Sequence, residues 1–274
     1  MVVLYIYLCL SVFICGKNIK YKFYLPKKLK IGDQTMDLKG KMALITGGNR
    51  GIGLAVAEQL ARHGVGLFLV ARDMDKLKQV QASFSKYQVP VEICACDLNL
   101  PESVETLNAV YSQSFHRLDF IINNAGIALS KSMETTSLED WDRVMNLNAR
   151  TPFFLTQKFL PLLRASTGRV INIASVVAHK GYIQQSVYTA SKHALLGWSK
   201  ALAREVQGEG LRVHVVCPGG VATEMVTAVR PDINTGELIG TDEIAEWVLF
   251  LLSREGNGVV DEISVRRASK VAWD

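Results

Sequence analysis

The sequence has 274 residues, of which 49% are hydrophobic and 21% are charged, with 21 glycines and 7 prolines. This composition is that of a globular chain and excludes disordered, collagen-like and disulfide-rich classes. The net charge of +5 comes from the first 35 residues, which hold six lysines and one aspartate. Residues 36–274 are neutral, with 25 basic and 25 acidic side chains. This balance disfavours a nucleic-acid-binding protein, which needs a clustered positive face.

The first 35 residues form an extension that differs from the rest of the chain. Residues 1–16 are apolar and uncharged, but the run is shorter than the roughly 20 residues that a membrane-spanning helix needs. Lysines follow over residues 17–30. Two interpretations stay open: an anchor that lies at an anionic membrane surface, or a segment with no role in the fold. One folded domain is expected over residues 36–274.

Short β-rich runs alternate with longer helical runs from residue 40 onward. Strands are predicted at residues 42–46, 66–70, 91–95, 119–123, 169–174, 212–217 and 259–264. Helices are predicted near residues 52–63, 73–86, 101–114, 138–164, 187–208 and 241–253. The strands are nearly continuous apolar runs, as expected for a parallel sheet that is covered on both faces. The pattern predicts an α/β fold, a single doubly wound Rossmann-type domain with a parallel seven-stranded sheet.

A glycine-rich loop, TGGNRGIG at residues 46–53, joins the first of these strands to the first helix. Its glycines permit a tight turn and close approach of the backbone to a pyrophosphate. The helix that follows offers unpaired N–H groups and the positive end of its dipole to the same anion. The loop residues expected to contact a dinucleotide are Gly47, Asn49, Arg50, Gly51, Ile52 and Gly53.

The end of the second strand carries information on cofactor choice. NAD-binding chains usually place an acid there, which accepts hydrogen bonds from the ribose 2′-hydroxyl, but this chain has Ala71. Arg72 follows and can bind a phosphate through paired, charge-assisted hydrogen bonds. Arg50 can approach the same phosphate, and Asp73 is expected to cap the next helix. The sequence therefore favours NADP(H), with NAD(H) as the alternative.

A tyrosine, a lysine and a serine form the candidate catalytic group. Tyr188 and Lys192 lie four residues apart in a predicted helix and share one of its faces. A nearby ammonium lowers the pKa of a tyrosine, which is about 10 in isolation. Ser175 follows a predicted strand, at the edge where open α/β sheets bind ligands. Its hydroxyl can donate to a substrate carbonyl.

Over about residues 38–265, the chain resembles the classical branch of the short-chain dehydrogenase/reductase family, because it carries five motifs in the order found there. They are the glycine loop, NNAG at 123–126, Ser175, YTASK at 188–192 and PGGVAT at 218–223. The resemblance is to NADPH-dependent carbonyl and 3-oxoacyl reductases. It implies that Tyr188 is the general acid for carbonyl reduction and the base for the reverse reaction. It further implies that Lys192 lowers the tyrosine pKa and binds the nicotinamide ribose, and that Ser175 orients the carbonyl.

The resemblance also assigns the remaining site residues. Asn148 is implied to hold a water that relays protons to Lys192, with Asn146 as the alternative position. Asn123 is implied to fix the central strands. Further cofactor contacts are implied for Asp97, Leu98, Asn124, Ala125, Gly126, Tyr188, Lys192, Pro218, Gly219, Val221 and Thr223.

The leading functional hypothesis is NADP(H)-dependent reduction of small ketones, aldehydes or 3-oxoacyl groups. An NAD-dependent alcohol or sugar dehydrogenase and a non-catalytic nucleotide sensor are the alternatives. Glu209 argues against an acidic carrier protein as partner, and the segment 224–240 is short for a lid. The cysteines show no disulfide pattern and fit a reducing compartment, so we expect a cytoplasmic protein. The resemblance implies a homodimer or homotetramer with helices 138–164 and 187–208 at the interface. Membrane contact is expected only through residues 1–35.

No metal site is expected from the sequence. Cys94 and Cys96 alternate on one predicted strand, and a C-x-C pair without further ligands is a poor zinc site. Both are expected to be buried thiols. His214 is expected in the core, whereas His179, four residues after Ser175, is a candidate for the substrate pocket.

Overall fold

The computed structural model describes residues 11–14, 17–20, 36–229 and 233–272. The chain divides into two units, Met1–Thr35 and Met36–Asp274. In the first unit, strand β1 (Ser11–Ile14) pairs antiparallel with strand β2 (Lys17–Lys20). The rest of the extension, and with it most of the predicted anchor, lies outside the described residues. Among the described residues, no helix is long and apolar enough to cross a membrane.

The second unit is built on one parallel sheet of seven strands. The strands are β3 (Met42–Thr46), β4 (Gly66–Ala71), β5 (Val91–Ala95), β6 (Phe120–Asn123), β7 (Arg169–Ile173), β8 (Arg212–Pro218) and β9 (Glu262–Val265). They are ordered β5-β4-β3-β6-β7-β8-β9, and each neighbouring pair is parallel. This arrangement confirms the predicted doubly wound α/β fold.

Eight α-helices accompany the sheet within the described residues. They are α1 (Gly51–Arg62), α2 (Met74–Ser83), α3 (Ser103–Ser114), α4 (Leu138–Met145), α5 (Thr151–Ser166), α6 (Ser186–Val206), α7 (Glu224–Val229) and α8 (Thr241–Ser253). Helices α1 and α8 pack on one face of the sheet, and α3 and α5 pack on the other. Alternate residues of β4 serve both faces: Leu67 and Leu69 join the first cluster, and Phe68 and Val70 join the second. Because both faces are covered, the strands read as continuous apolar runs.

The structure differs from the predicted elements in three places. The helix predicted over 138–164 is interrupted by a π-helical turn, Asn146–Arg150, between α4 and α5. The last strand begins at Glu262 rather than at residue 259, and the preceding Val259 and Val260 are exposed. Helix α7 was not predicted, because its six residues are too few to show a helical period.

Strand β3 lies at the point where the strand order reverses, between β4 and β6. In open α/β sheets, ligands bind in the crevice outside the carboxyl ends of the strands at this point. The end of β3 leads directly into the glycine-rich loop. The topology therefore places the loop at the expected ligand edge. The oligomeric state stays a prediction; Phe153 and Phe154 of α5 are exposed apolar residues on one of the expected interface helices.

We expect a chain that starts at Met36 to fold as well as the full-length chain, because all seven strands of the large sheet lie between Met42 and Val265. Thermal unfolding should show a melting temperature within about 2 °C of the full-length value, corresponding to less than about 1 kcal/mol. A drop in melting temperature of about 10 °C or more, which corresponds to a loss of several kcal/mol of stability, would show that residues 1–35 contribute to the folded domain.

Candidate active site

One cavity of about 780 Å³ lies at the carboxyl edge of the large sheet. All of the catalytic and cofactor-binding residues predicted from the sequence line it, except Gly53 and Asn148. These two residues lie behind the lining and support it, as described below. The structure thus brings together residues from Gly47 to Thr223, which belong to the loops after six different strands.

The glycine loop packs too tightly for side chains at two positions. Gly47 has a φ of +67°, a conformation that other residues rarely adopt. A Cβ on Gly53 would lie 2.2 Å from the carbonyl oxygen of Gly47. Helix α1 starts at Gly51, and the preceding Arg50 makes no side-chain cap. The first N–H groups of α1 have no partner within the helix, so the loop has the form of an anion site.

Hydrogen bonds between the ends of β3 and β6 hold this loop in place. The Thr46 hydroxyl accepts from the backbone N–H groups of Asn124 and Ala125, both at 3.0 Å. In return, the Asn124 amide donates to the carbonyl oxygens of Thr46 at 2.9 Å and Gly47 at 3.3 Å. We call this set of four bonds the Thr46–Asn124 clasp. It fixes the start of the glycine loop to the loop after β6.

A second polar group joins the central strands, as the sequence implied for Asn123. Its amide donates to Asn172 on β7 at 2.8 Å and to the Thr156 hydroxyl on α5 at 2.9 Å. The Asn172 amide donates in turn to Ser199 on α6 at 2.7 Å. All four side chains are buried. They tie the helix that carries Tyr188 and Lys192 to the middle of the sheet.

The far end of the cavity is lined by the residues predicted to select the cofactor. Ala71 and Arg72 both line it, and no ion pair of the described residues involves Arg72. Asp73 caps α2 by accepting from the Lys76 N–H at 3.0 Å, as predicted. Arg50 is different, because its guanidinium forms an ion pair with Glu224 at the start of α7. Arg72 is therefore the freer of the two predicted phosphate ligands.

The three catalytic candidates converge at the other end of the cavity. Ser175 caps a short 3₁₀ turn, Val176–Ala178, after β7, and its side chain hydrogen-bonds Tyr188. Lys192 lies one turn further along α6 and is buried. Its ammonium donates to the carbonyl oxygen of Ile173 at 2.9 Å and lies 5.9 Å from the centre of the Tyr188 ring. The hydroxyls of Ser175 and Tyr188 and the ammonium of Lys192 thus lie close together at this end of the cavity.

The pKa directions differ from the sequence expectation. Burial raises the pKa of Tyr188 above its ordinary value, and the hydrogen bond with Ser175 opposes this only in part. Burial also lowers the pKa of Lys192 to about 8, with Cys217 acting in the opposite direction. The net direction for Tyr188 is therefore upward, whereas the sequence led us to expect a lowered pKa; the contribution of Lys192 stays a prediction. The cause is burial, which disfavours the charged form of both groups.

Asn148 belongs to the π-helical turn and supports the site from behind. Its side-chain oxygen accepts from the Ile127 N–H at 2.9 Å, and its amide donates to the Ile127 carbonyl at 2.9 Å. The amide also donates to the Ser191 hydroxyl at 3.0 Å. Asn148 thus joins the loop after β6 to α6 beside Lys192. The water relay implied for Asn148 stays a prediction.

Two of the other sequence expectations need correction. His179 does not line the main cavity formed by the described residues; it pairs with Glu262 on β9. Cys96 is only half-buried and lines the cavity, whereas Cys94 is buried as expected. His214 is in the core as predicted: its Nδ1 lies 2.7 Å from the Val260 carbonyl, and burial lowers its pKa to about 4.

Some cavity residues could not be found from the motifs. Lys76 on α2 and Glu224, Met225 and Val226 on α7 line the cavity. None of them belongs to a recognised spacing. Lys76 could have been placed only indirectly, from the prediction that Asp73 caps the helix that contains it. The residues of the short helix α7 show no sequence pattern that marks them as cavity residues.

Comparison with known proteins now identifies the family. The family model of the short chain dehydrogenase matches residues 41–234. The chain belongs to the short-chain dehydrogenase family. As a member, it is an oxidoreductase that interconverts carbonyl and alcohol groups with a nicotinamide dinucleotide.

Similar proteins of this family include two curated reductases and one solved structure. The 3-oxoacyl-(acyl-carrier-protein) reductase of Aquifex aeolicus is 32% identical over 239 residues, covering 82% of this chain and 95% of that protein. The acetoacetyl-CoA reductase of Acinetobacter sp. is 35% identical over 233 residues, covering 81% and 94%. The structure of L-sorbose reductase from Gluconobacter frateurii, complexed with NADPH and L-sorbose, has a TM-score of 0.76 at 29% identity, covering 84% and 97%.

The tight packing of the glycine loop predicts opposite effects for two glycine-to-alanine substitutions. Gly53→Ala should destabilise the fold by about 1–3 kcal/mol, because the new methyl group would overlap the Gly47 carbonyl. Gly197→Ala, in the interior of α6 with open space around it, should stabilise by about 0.5–1 kcal/mol. Denaturant unfolding measures both. Equal effects of the two substitutions would contradict the packing described for the loop.

Proposed function

We propose that this chain uses NADPH to reduce a carbonyl group to a secondary alcohol, with Tyr188 as the general acid and as the base of the reverse reaction. The observation that carries the proposal is the hydrogen-bonded pair of Ser175 and Tyr188 in the cavity, with the Lys192 ammonium beside it. The substrate class is that of small ketones or 3-oxoacyl groups, which give secondary alcohols, or of aldehydes, which give primary alcohols. Similarity to 3-oxoacyl and acetoacetyl-CoA reductases supports the 3-oxoacyl groups.

The residues at the site suit proton donation to a developing alkoxide. The raised pKa of Tyr188 keeps its hydroxyl protonated near neutral pH, so the proton is available. The Ser175 hydroxyl can donate to the same oxygen and hold the carbonyl in place. The Lys192 cation stabilises the phenolate that remains after the transfer, because opposite charges attract strongly in a buried site. The roles of the three residues are thus separate but depend on one another.

The cavity fits a dinucleotide phosphate at the glycine loop. Gly47 and Gly51 line the cavity without side chains, and the first N–H groups of α1, unpaired within the helix, can bind an anion there. When bound, NADPH supplies the hydride for the reaction. Arg72 would hold its 2′-phosphate, and Ala71 leaves no carboxylate to repel that group. The similar L-sorbose reductase was solved with NADPH, which supports this cofactor.

An NADP(H)-dependent reductase or dehydrogenase of sugars is the second candidate. The observation in its favour is the similarity to L-sorbose reductase over 84% of this chain. A panel of substrates separates the two candidates. Turnover of each substrate is followed by the loss of NADPH absorbance at about 340 nm, where reduced nicotinamides absorb. The panel should contain acetoacetyl thioesters, simple ketones and ketoses. Preference for the thioester supports the proposed function, and preference for a ketose supports the second candidate.

The assignment of Tyr188 is tested by Tyr188→Phe, which removes the hydroxyl and keeps the ring. The turnover number kcat should fall by about 10²–10⁴, the typical contribution of a general acid. The affinity for NADPH, measured by its fluorescence, should change less than about threefold, which is less than about 1 kcal/mol, because the ring of Tyr188 is kept. Tyr87→Phe, whose hydroxyl bonds Glu58 away from the cavity, is the matched control. Retention of a tenth of the wild-type kcat or more would refute the role of Tyr188.

Cofactor choice is tested by Arg72→Ala. The hydrogen bonds of a charged group contribute about 1.5–3 kcal/mol, so kcat/KM for NADPH should fall by about one to two orders of magnitude. NADH has no 2′-phosphate, and its kcat/KM should hardly change. Arg50→Ala should cause a smaller loss, because that guanidinium already pairs with Glu224. Equal use of NADPH and NADH by the unmodified enzyme would overturn the proposed preference.

The lowered pKa of Lys192 predicts a pH limit for reduction. The free enzyme loses the Lys192 proton as pH rises through about 8, while Tyr188 stays protonated because its own pKa is raised. The effect of Cys217 on Lys192 is opposite to that of burial and smaller. The value of kcat/KM for carbonyl reduction should therefore decline above about pH 8, since this parameter reports groups of the free enzyme. A profile that stays flat up to pH 10 would contradict the assignment of Lys192.

A further inference from the structure

Three metal-ligating side chains meet beside Ser175, outside the cavity and outside the proposed mechanism. Nε2 of His179, Sγ of Cys217 and a carboxylate oxygen of Glu262 all lie within 4.8 Å of one another. Cys217 is completely buried, and its sulfur accepts from the backbone N–H of Ser175. None of the three side chains lines the cavity, and none transfers a proton in the proposed reaction.

Three different elements hold these side chains in position. His179 ends the 3₁₀ turn Val176–Ala178, Cys217 lies on β8, and Glu262 begins β9. In the parallel pairing of β8 and β9, Glu262 lies opposite Val215, two residues before Cys217. Because side chains alternate along a strand, Cys217 and Glu262 project from the same face of the sheet. The pairing of the two strands thus fixes the relative position of two of the ligands.

The distances fit a tetrahedral zinc site. Zinc binds thiolate sulfur at about 2.3 Å and imidazole nitrogen at about 2.0–2.1 Å, which puts these two ligand atoms about 3.6 Å apart at a tetrahedral angle. The distance between Sγ of Cys217 and Nε2 of His179 is 3.8 Å. Glu262 already hydrogen-bonds the same nitrogen. A modest opening of that contact would let a cation take the place of the hydrogen bond.

Access and charge also suit a divalent cation. The side chains of His179 and Glu262 are 41% and 26% exposed, so a cation and one water ligand can approach from solvent. The thiol of Cys217 is fully buried and lies at the bottom of the site. On metal binding the S–H bond is replaced by a metal–sulfur bond, and the proton leaves to solvent. The thiolate and the Glu262 carboxylate then balance the two positive charges, and no electron is transferred.

We propose that His179, Cys217 and Glu262 form a binding site for a borderline-soft divalent cation, with Zn²⁺ as the best match. One thiolate, one imidazole and one carboxylate, with a fourth position open to water, form a donor set that zinc accepts and that magnesium and calcium, which prefer oxygen ligands, do not. The proposal does not depend on the proposed carbonyl reduction. Its test therefore reads binding and not turnover.

The experiment titrates Co²⁺, then Zn²⁺, into the full-length chain after treatment with a chelator. Cobalt bound to Cys217 should give a thiolate-to-cobalt absorption band in the near ultraviolet, saturating at one metal per chain, and Zn²⁺ should displace it. Cys217→Ser should abolish the band. Glu262→Gln keeps the shape of the side chain and should weaken Zn²⁺ binding by at least about tenfold. Substitution of residues that only hydrogen-bond to metal ligands already causes a loss of this size. Magnesium should not compete.

Two control variants separate this site from the other thiols. The double variants Cys94→Ser/Cys96→Ser and Cys9→Ser/Cys15→Ser should keep the band unchanged. If Cys217→Ser does not fold, Glu262→Gln and His179→Ala, which alter partly exposed side chains, decide the question. Zn²⁺ should also raise the melting temperature of the unmodified chain and not that of Glu262→Gln. Absence of the band at one equivalent of metal, or a band that persists without Cys217, would overturn the proposal.

Discussion

The reciprocal hydrogen bonds between Thr46 and Asn124 hold the rest of the site together. They connect the ends of two adjacent parallel strands at the point where the strand order of the sheet reverses. On the β3 side of this clasp lies the glycine loop, and on the β6 side lies the loop that Asn148 holds through Ile127. The two ends of the cavity, which we propose to bind the cofactor phosphates and the reacting groups, are thereby set at a fixed separation. Without the clasp, the glycine loop would not hold the first N–H groups of α1 in a fixed position at the cavity.

A chain of hydrogen bonds runs from the sheet interior to the helix that carries the proposed catalytic residues. Asn123 joins β6 to β7, Asn172 joins β7 to α6, and α6 carries both Tyr188 and Lys192. Buried polar groups that are hydrogen-bonded to one another favour a single arrangement, since each broken bond would leave an unpaired group. Burial around Tyr188 and Lys192 then sets their protonation states. The same packing that orders the site thus supplies a protonated tyrosine near neutral pH and a lysine that titrates at about pH 8.

Local patterns predicted most of the fold and most of the site. The glycine loop, the Tyr188–Lys192 spacing and the position of Ser175 after a strand are short-range features, so the sequence displays them directly. Contacts between distant residues were not predictable: Arg50 pairs with Glu224, and His179 meets Cys217 and Glu262. These contacts depend on how the strand ends are arranged across the sheet.

The π-helical turn around Asn148 was missed for a related reason. Asn146 and Asn148 both fitted the helical pattern, because a single π-helical turn of five residues is too short to show a period of its own. The net direction of the tyrosine pKa was also misjudged, since the sequence shows that Lys192 is one turn away but not how strongly burial acts on the Tyr188 hydroxyl. Boundaries such as the start of β9 depend on pairing with β8, and the apolar run that precedes it gave the wrong limit.

The most direct test of the proposed site is a crystal structure of this chain with NADP⁺. We expect the pyrophosphate at the first turn of α1, the 2′-phosphate within hydrogen-bond distance of Arg72, and the nicotinamide at the end of the cavity that Tyr188 and Ser175 line. A substrate carbonyl bound against the nicotinamide face should lie about 3 Å from the Tyr188 hydroxyl, a distance at which protons transfer. A dinucleotide bound outside this cavity, or in the reverse orientation, would contradict the proposed site.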